Sequence, residues 1–197
     1  EKYSPEGIEE TIAEQSKYID YCIWYNNQSP YTAGLIVPNK MALREYIEKQ
    51  DVEPDSMDAY RVMLKKIQSE LMAYRVGGKH AHLFPERWLP AVVAVLPEAL
   101  NEQNGMINST MKVVRAKVYD RFKEEIDYLY TPEGKEITNK RNLQNLKQLI
   151  SWIGSLKVSS FSIFNFQFSI IMKRRSTKQV KIGEIYIGSE YPVLVQS

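Results

Sequence analysis

Residues 102–115 read Glu-Gln-Asn-Gly-Met-Ile-Asn-Ser-Thr-Met-Lys-Val-Val-Arg, and the rest of the chain is best interpreted outward from this stretch. Asn104-Gly105 is a dipeptide typical of a tight turn. The Met106-Ile107 pair that follows is apolar, and it favours a short extended segment leading out of the turn. We therefore predict a turn that delivers the chain to the residues around Lys112.

The second half of the stretch places a lysine beside a predicted helix. The Ser109-Thr110 pair can begin a helix that carries Lys112 and Arg115. A lysine at such a junction can reach outward while its neighbours stay anchored. Its ammonium is a compact positive charge, which suits a carboxylate or phosphate group during a transfer reaction. On these residues alone a solvated surface lysine remains the alternative, because a motif needs structural context.

The stretch from Asn104 to Arg115 resembles the last motif of the adenylate-forming enzymes, in the form found in AMP-forming long-chain fatty acid–CoA ligases. That form has Asn-Gly, two apolar residues, Thr-Pro-Thr, an apolar residue, Lys, two further residues and Arg. The resemblance implies that Lys112 is the catalytic lysine. Where the family has Thr-Pro-Thr, this chain has Asn-Ser-Thr at 108–110, which leaves the rigidity of the loop open. The resemblance also implies a set of supporting loop residues: Asn104, Gly105, Ser109, Thr110 and Arg115. For Arg115 a plain surface role is the alternative.

Composition describes an ordinary globular chain. Its 197 residues are 44% hydrophobic and 25% charged, which predicts one domain or slightly more. The formal net charge is +2, and the basic cluster at 173–175 is only three residues long. A nucleic-acid interface needs a basic stripe or patch, so we predict no nucleic-acid partner.

The single cysteine, Cys22, excludes an intrachain disulfide and suits a reducing compartment, so we predict a cytoplasmic protein. Its neighbours in sequence are apolar or aromatic, which predicts a buried structural thiol and not a nucleophile. The two histidines, His80 and His82, have no companions at metal-ligand spacing. We therefore predict no metal site, and both histidines are expected in loops. The polar amino terminus predicts no signal peptide.

The first residues predict a helix and a domain junction. Ser4 followed by Pro5 is a helix start, with a capping hydroxyl and a residue of fixed φ. Ile8 and Ile12 fall on one face of this helix, and its glutamates lie near the positive end of the helix dipole. Residues 2–9 also resemble the ligase segment that follows the hinge between a large amino-terminal and a small carboxy-terminal domain. The resemblance makes Lys2 and Pro5 hinge-proximal residues.

Hydrophobic patterning predicts an α+β fold, with a small sheet packed against helices. The sheet consists of an antiparallel hairpin at 18–37, with its turn at 26–30, and a third strand at 91–96. Gly77-Gly78 predicts a helix stop, because it lacks the spacing of a phosphate-binding loop. Helices are predicted at 41–49, 55–74, 118–129 and 139–153. The second of them carries a predicted apolar stripe at helical spacing: Tyr60, Met63, Leu64, Ile67, Leu71 and Tyr74.

The last part of the chain differs in kind. Residues 154–171 are rich in phenylalanine and isoleucine and have no charge after Lys157, yet they are too short and too polar to span a membrane. Residues 172–197 resemble the start of 4-hydroxy-3-methylbut-2-enyl diphosphate synthase, with a short β-hairpin at 180–187 and a strand at 193–196. We expect a ligase lid domain at 1–153, an apolar linker of translated intergenic sequence at 154–171, and the start of an unrelated protein at 172–197.

The ligase resemblance implies a two-step reaction for the complete enzyme, in which a carboxylate is joined to ATP and the acyl group then passes to CoA. It implies ATP, CoA and Mg²⁺ as cofactors of the full enzyme, none of them bound by this chain alone. The implied partners are an amino-terminal adenylation domain and a fatty acid, and the resemblance allows peripheral membrane contact of the parent enzyme. The alternative is a non-catalytic protein-interaction module. That module would expose Tyr18, Trp24 or Trp88 in a patch, whereas a ligase lid would bury them and leave Lys112 free.

Overall fold

A three-stranded sheet lies at the centre of the first of two compact units into which the chain divides, Glu1–Lys157 and Val158–Ser197. The computed structural model describes residues 4–151, together with the backbone of 180–182 and 185–187. The elements of the first unit, in chain order, are α1 (Pro5–Gln15), β1 (Ile19–Tyr25), β2 (Ala33–Pro38), α2 (Lys40–Ile47), α3 (Met57–Met72), β3 (Val92–Val95), α4 (Arg115–Arg121), α5 (Lys123–Leu129) and α6 (Lys140–Ser151). Short 3₁₀ turns occur at Glu86–Trp88 and Glu133–Lys135.

The sheet has the order β1-β2-β3. β1 and β2 pair antiparallel, with Tyr25 opposite Ala33, so the predicted hairpin is confirmed with slightly narrower strands. β2 and β3 pair in parallel, with Ala33 opposite Val92. A parallel pair needs a crossover connection, and α2 and α3 supply it. The predicted α+β class is therefore correct.

Every residue of β2 is buried, because each face of the sheet carries its own core. Leu35 points into the core beneath α4 and α5, and Ile36 points into the core beneath α1, α2, α3 and α6. This alternation is the expected two-residue period of a strand. The predicted apolar stripe of α3 is also confirmed, since its buried residues recur at helical spacing: Tyr60, Met63, Leu64 and Ile67.

Three local predictions need correction. Ser4 occupies the cap position of α1, but its hydroxyl makes no capping hydrogen bond, so Pro5 alone marks the start. The helix predicted at 118–129 is two helices, because Phe122 has φ −110° and ψ 29°. Its N–H still donates to Val118 and its carbonyl accepts from Ile126, so the buried face continues across the break.

The third correction concerns the double glycine. α3 ends at Met72, before the glycines, which lie in the turns that follow. Gly77 has a φ of +86°, and a Cβ on Gly78 would lie 2.3 Å from the carbonyl oxygen of Ala73. Both positions therefore require glycine for the turn itself and not for the helix cap.

In the second unit, two short strands pair antiparallel as predicted, with Val180 opposite Ile187. They are β4 (Val180–Ile182) and β5 (Ile185–Ile187). The predicted linker at 154–171 and the predicted strand at 193–196 lie outside the described residues. Among the helices that the structure describes, none combines the length and apolar character needed to cross a membrane.

The outer edge of β3 is closed by side chains of α6. The Asn142 side chain accepts from the N–H of Val95 at 2.9 Å and donates to the carbonyls of Val93 and Ile137 at 3.0 and 2.9 Å. Asn145 donates to the carbonyl of Val95 at 2.9 Å. Asn142 is buried, so water cannot reach these backbone groups, and the amide supplies their hydrogen bonds instead. The Asn142 side chain therefore pairs with backbone groups at this edge of the sheet, as a further strand would.

We expect Asn142→Ala to lower the free energy of unfolding by about 3 kcal/mol, because it leaves buried backbone groups without partners. Asn145→Ala is the matched control. It removes the single bond that the half-buried Asn145 donates to Val95, and its expected cost is about 1 kcal/mol. Urea denaturation of both variants measures the difference. Equal stabilities for the two variants would contradict the role assigned to Asn142.

Candidate functional site

The predicted turn at Asn104-Gly105 is present, and its base is fixed by the asparagine side chain. The Asn104 amide oxygen accepts from the N–H groups of Asn101 and Met106 at 3.1 and 3.2 Å, and its Nδ2 donates to the carbonyl of Ala99 at 2.9 Å. Gly105 adopts a φ of +70°, the left-handed conformation that glycine adopts at no steric cost. The turn therefore depends on both predicted residue types.

A tight loop follows, from 107 to 113, and Lys112 lies in it. Ile107 and Val113 form an isolated antiparallel bridge across its base. Met106 and Ile107 are both buried in the core beneath α4 and α5. Above that base, the N–H of Asn108 donates to the carbonyl of Lys112 at 2.9 Å. The loop is thus anchored in the core at one end and closed by backbone hydrogen bonds.

One side chain organises the tip of the loop. The Asn108 oxygen Oδ1 accepts three hydrogen bonds, from the N–H of Thr110 at 3.0 Å, the hydroxyl of Thr110 at 2.8 Å and the N–H of Lys112 at 2.9 Å. Asparagine side chains commonly satisfy nearby backbone groups in this way and so compete with helix formation. Asn108 was not among the predicted site residues. The signal that could have identified it is its position, because it is the first residue of the Asn-Ser-Thr segment that stands where the family has Thr-Pro-Thr.

The prediction that Ser109-Thr110 starts a helix is wrong. α4 begins at Arg115, after Val114, and no side chain caps it. The hydroxyl of Thr110 donates to Asn108 and the N–H of Thr110 is taken by the same oxygen, so neither group can initiate a helix. Lys112 consequently lies in a loop and not on a helix.

Lys112 itself is exposed, and its side chain makes no hydrogen bond or ion pair with the residues that the structure describes. It borders a cavity of about 310 Å³ between the loop, α1 and β1. The lining of this cavity includes exposed carboxylates from α1 and β1: Glu6, Glu10, Glu14 and Asp20. Lys112 and Arg115 thus bring positive charge to a cavity whose other charged lining residues are carboxylates.

Met111, directly before the lysine, has a φ of +62° and is 65% exposed. A side chain with a Cβ pays about 1–2 kcal/mol to occupy the left-handed region. The hydrogen bonds of Asn108 on either side hold it there, since the N–H of Met111 also donates to the Asn108 carbonyl at 2.9 Å. The loop tip is thus strained and at the same time fixed in position.

Arg115 anchors the other end of the loop through a buried carboxylate. Glu9, on α1, is 6% exposed, and both of its oxygens bind the Arg115 guanidinium, Oε1 at 3.0 Å from Nη1 and Oε2 in a shorter contact with Nη2. The same Oε1 accepts from the backbone N–H of Trp24 on β1. Burial disfavours the guanidinium charge, but the hydrogen bonds to Glu9 and Tyr119 outweigh it and raise the pKa of Arg115. Arg115 is therefore a fixed anchor.

The sequence analysis placed Glu9 only near the positive end of the helix dipole and missed this role. Tyr119 completes the arrangement, because its hydroxyl donates to the carbonyl of Trp24 at 2.8 Å. Both outward backbone groups of Trp24 on the edge strand β1 are thus satisfied by side chains. The position of Glu9 three residues before Ile12, at the border of the apolar stripe, was the signal available in the sequence.

The remaining predicted residues have varied outcomes. Lys2 lies outside the described residues, and Pro5 is the first residue of α1. Cys22 is buried, its thiol donates to the carbonyl of Glu9 at 3.1 Å, and burial raises its pKa, so the predicted structural thiol is confirmed. His80 and His82 lie in turns, as predicted. In the described part of the chain no group of three or more His, Cys, Asp or Glu residues could hold a metal ion.

The aromatic residues separate the two functional interpretations. Trp24 is buried, and Tyr18 and Trp88 are half-buried and pack against the core beneath α1 and α3. These three residues therefore form no exposed aromatic patch, and Lys112 is free. The burial that the ligase resemblance led us to expect is thus complete at Trp24 and partial at Tyr18 and Trp88.

We expect Glu9→Gln to lower the free energy of unfolding by about 2 kcal/mol, because the Arg115 charge would lose its partner. This expected loss is smaller than the loss typical of breaking a fully buried ion pair, because the Arg115 side chain is 26% exposed. Glu10→Gln, on the exposed face of the same helix, is the matched control and should change the stability by less than about 0.5 kcal/mol. Urea denaturation measures both, and a Glu9→Gln variant as stable as the control would contradict the anchor.

Comparison with known proteins places these residues in a family context. A family described as AMP-binding enzyme C-terminal domain matches residues 1–134. Long-chain-fatty-acid–CoA ligase 1 of Schizosaccharomyces pombe is 25% identical over 126 residues, which is 64% of this chain and 19% of that protein. Long chain acyl-CoA synthetase 8 of Arabidopsis thaliana is 24% identical over 131 residues, 66% of this chain and 18% of that protein.

Among solved structures, the A-PCP didomain of carboxylic acid reductase from Segniliparus rugosus, in complex with AMP, aligns with a TM-score of 0.47 and 18% identity. The alignment covers 66% of this chain and 16% of that one. This chain spans about a fifth of the length of the curated relatives that it matches. The family match takes in α1, the whole sheet and the loop of Lys112, and since it covers well over half of the residues, the chain belongs to the family of C-terminal domains of AMP-binding enzymes.

Proposed function

We propose that this chain is the lid domain of an ATP-dependent long-chain fatty acid–CoA ligase, and that Lys112 is the catalytic lysine of that enzyme. The observation that carries the proposal is the state of Lys112. Its ammonium is exposed and unpaired within the described residues, on a loop whose backbone is held by Asn108 and by the Glu9–Arg115 anchor. A flexible cationic side chain on a fixed backbone is suited to enter an active site built by another domain.

The role of Lys112 belongs to the first half-reaction. A carboxylate oxygen of the fatty acid attacks the α-phosphorus of ATP, the bond to the bridging oxygen breaks, and pyrophosphate leaves as acyl-adenylate forms. Two anions must approach each other in this step, so a cation between them lowers the barrier. An ammonium about 4 Å from a negative charge, at an effective dielectric of about 20, interacts by about 4 kcal/mol. Lys112 would supply this interaction and hold the reactants in line.

The second half-reaction needs a change in the position of the lid. Once the adenylate exists, the thiol of CoA attacks its carbonyl carbon and AMP leaves. A lysine that bridges the carboxylate and the α-phosphate has no further task there. We therefore propose that the lid rotates about its hinge between the two steps, with Lys2 and Pro5 near that hinge.

The other components of the reaction belong to the complete enzyme. ATP, CoA and the fatty acid would be bound with an amino-terminal adenylation domain, which is the proposed partner of this chain. Mg²⁺ would be carried on the ATP phosphates. The described residues hold no group of three or more His, Cys, Asp or Glu residues for such an ion. The proposed contact of this chain with the α-phosphate of ATP is Lys112. The buried free thiol of Cys22 accords with a cytoplasmic location.

We expect Lys112→Ala to reduce adenylation by about 100-fold to 1,000-fold, the usual effect of removing one group that stabilises transition-state charge. The chain is mixed with the separately produced large domain of the fission yeast ligase. In a second format, residue 1 of the chain is fused to the carboxyl end of that domain. Fatty acid–dependent pyrophosphate release measures the first step. Acyl-CoA formation from supplied acyl-adenylate measures the second, which should change by only a few fold.

Lys65→Ala is the control, since Lys65 is exposed on α3 and lies outside the cavity. Wild type and this control should adenylate at the same rate. If Lys112→Ala adenylates as fast as they do, Lys112 is not the catalytic lysine. If the wild-type chain restores adenylation in neither format, the assignment to a ligase lid is wrong.

A further inference from the structure

The turns that follow α3 carry a run of exposed apolar side chains. Val76 is 84% exposed, and Met72 and Leu83, at the two ends of residues 72–83, are exposed as well. Single apolar residues on a surface need no explanation, but several in one short segment are typical of a contact surface. Val76 in particular adds little to the stability of the unit, because so little of its surface is removed from water.

The backbone of this segment is held by contacts with the body of the unit. The N–H of His80 donates to the carbonyl of Ala73 at 2.8 Å, which closes the segment at its base. The ring of the buried Tyr74 stacks on the ring of His80, with their centroids 5.0 Å apart. Arg75 binds Glu86 at 2.9 Å. The two residues that precede the exposed valine are thus anchored, while the valine itself is left in solvent.

The segment is also free of acidic residues. Between Glu70 and Glu86 the sequence has no Asp or Glu, whereas it has Arg75, Lys79 and both histidines of the chain. The two flanking glutamates are already paired, Glu70 with Lys66 at 2.7 Å and Glu86 with Arg75 at 2.9 Å. Lys79 is exposed and makes no hydrogen bond or ion pair with the residues that the structure describes. The segment therefore presents positive charge beside its apolar side chains.

We propose that residues 72–83 are a contact for an anionic lipid bilayer, with Val76 inserted among the lipids and Lys79 against the headgroups. The shape of the segment favours a bilayer over a protein partner, because Val76 projects from a turn and a Cβ on the adjacent Gly77 would meet nothing within 4 Å. The charge favours it as well, since no acidic side chain of the segment opposes an anionic surface. Apolar insertion and attraction to anionic headgroups act together in such contacts.

This surface is separate from the Lys112 loop, and only its use rests on the proposed function. The hydrocarbon chain of a long-chain fatty acid leaves water for a bilayer, because each buried CH₂ group favours the transfer. A ligase lid held at a bilayer therefore stays where the fatty acid is most concentrated.

Vesicle binding of the 197-residue chain is measured by co-sedimentation. The vesicles contain phosphatidylcholine alone or phosphatidylcholine mixed with phosphatidylglycerol. Val76→Ser removes the apolar side chain, and Lys79→Ala removes the charge. Met57→Ser is the matched control, because Met57 is also an exposed apolar residue of α3. It lies at the other end of that helix, about 22 Å from Met72 at 1.5 Å per residue.

We expect the wild-type chain to bind the mixed vesicles more tightly than the neutral ones. Val76→Ser should weaken binding to the mixed vesicles about tenfold, as the loss of a buried valine predicts. Lys79→Ala should weaken it about fivefold, and this loss should disappear at high salt. Met57→Ser should stay within about twofold of wild type, and the Tm of every variant within about 2 °C, as is usual for exposed positions.

A fluorescent label tests the position of the contact directly. Cys22 is the single cysteine of the chain and is buried, so a thiol introduced by Val76→Cys can be labelled selectively with an environment-sensitive fluorophore. Its emission should shift to the blue when mixed vesicles are added. The same label introduced by Met57→Cys should keep the emission that it has in water.

A label at position 76 that stays in water would overturn the proposal, even if another part of the chain binds the vesicles. A wild-type chain that binds neither kind of vesicle would overturn it too, and so would equal losses in Val76→Ser and Met57→Ser.

The adenylation assay keeps the two proposals apart. If vesicle binding fails while Lys112→Ala still loses adenylation, the ligase assignment stands and only the bilayer contact is removed. If the label inserts but the wild-type chain restores no adenylation, the contact stands and the ligase assignment is removed.

Discussion

The ion pair between the buried Glu9 and the half-buried Arg115 is the constraint on which the arrangement of α1, β1 and α4 depends. Removing two charges from water costs several kcal/mol per ion, and only good geometry repays that cost. Here the planar guanidinium meets both carboxylate oxygens, and the N–H of Trp24 fills a further acceptor position. The pair therefore joins α1, the edge of β1 and the start of α4. Because Arg115 follows Lys112 by three residues, the same bonds fix where the lysine loop leaves the body of the domain.

Both edges of the small sheet are completed by side chains from neighbouring helices. A three-stranded sheet exposes two rows of unpaired backbone groups, which invite pairing with other chains. Glu9 and Tyr119 satisfy the β1 edge at Trp24, and Asn142 and Asn145 satisfy the β3 edge. Asn142 and Asn145 lie on α6, beyond the residues 1–134 matched by the family. The helix that follows the family match is thus needed to complete the sheet that the family match contains.

Apolar periodicity was sufficient to predict the hairpin, the third strand and the buried stripe of α3, because those features depend on neighbours in sequence. The break at Phe122 was not predictable in this way, since the apolar spacing of four continues across it. Glu9 was missed for a different reason. A glutamate in the first turns of a helix is usually solvated, and its burial depends on an arginine 106 positions later in the chain. Long-range ionic contacts of this kind leave almost no periodic signal in a single sequence.

The departure from the family motif at 108–110 shows how the loop obtains its rigidity. Proline restricts the backbone by its ring, which limits the conformations of the unfolded chain. Asn108 restricts it by three accepted hydrogen bonds, each worth about 0.5–1.5 kcal/mol net. Ordering one residue of backbone costs about 1–2 kcal/mol, so these bonds can hold the two or three residues at the loop tip, including the strained Met111. The backbone is thereby fixed, while the exposed side chain of Lys112 makes no hydrogen bond or ion pair within the described residues, which is the division of roles that the proposed function requires.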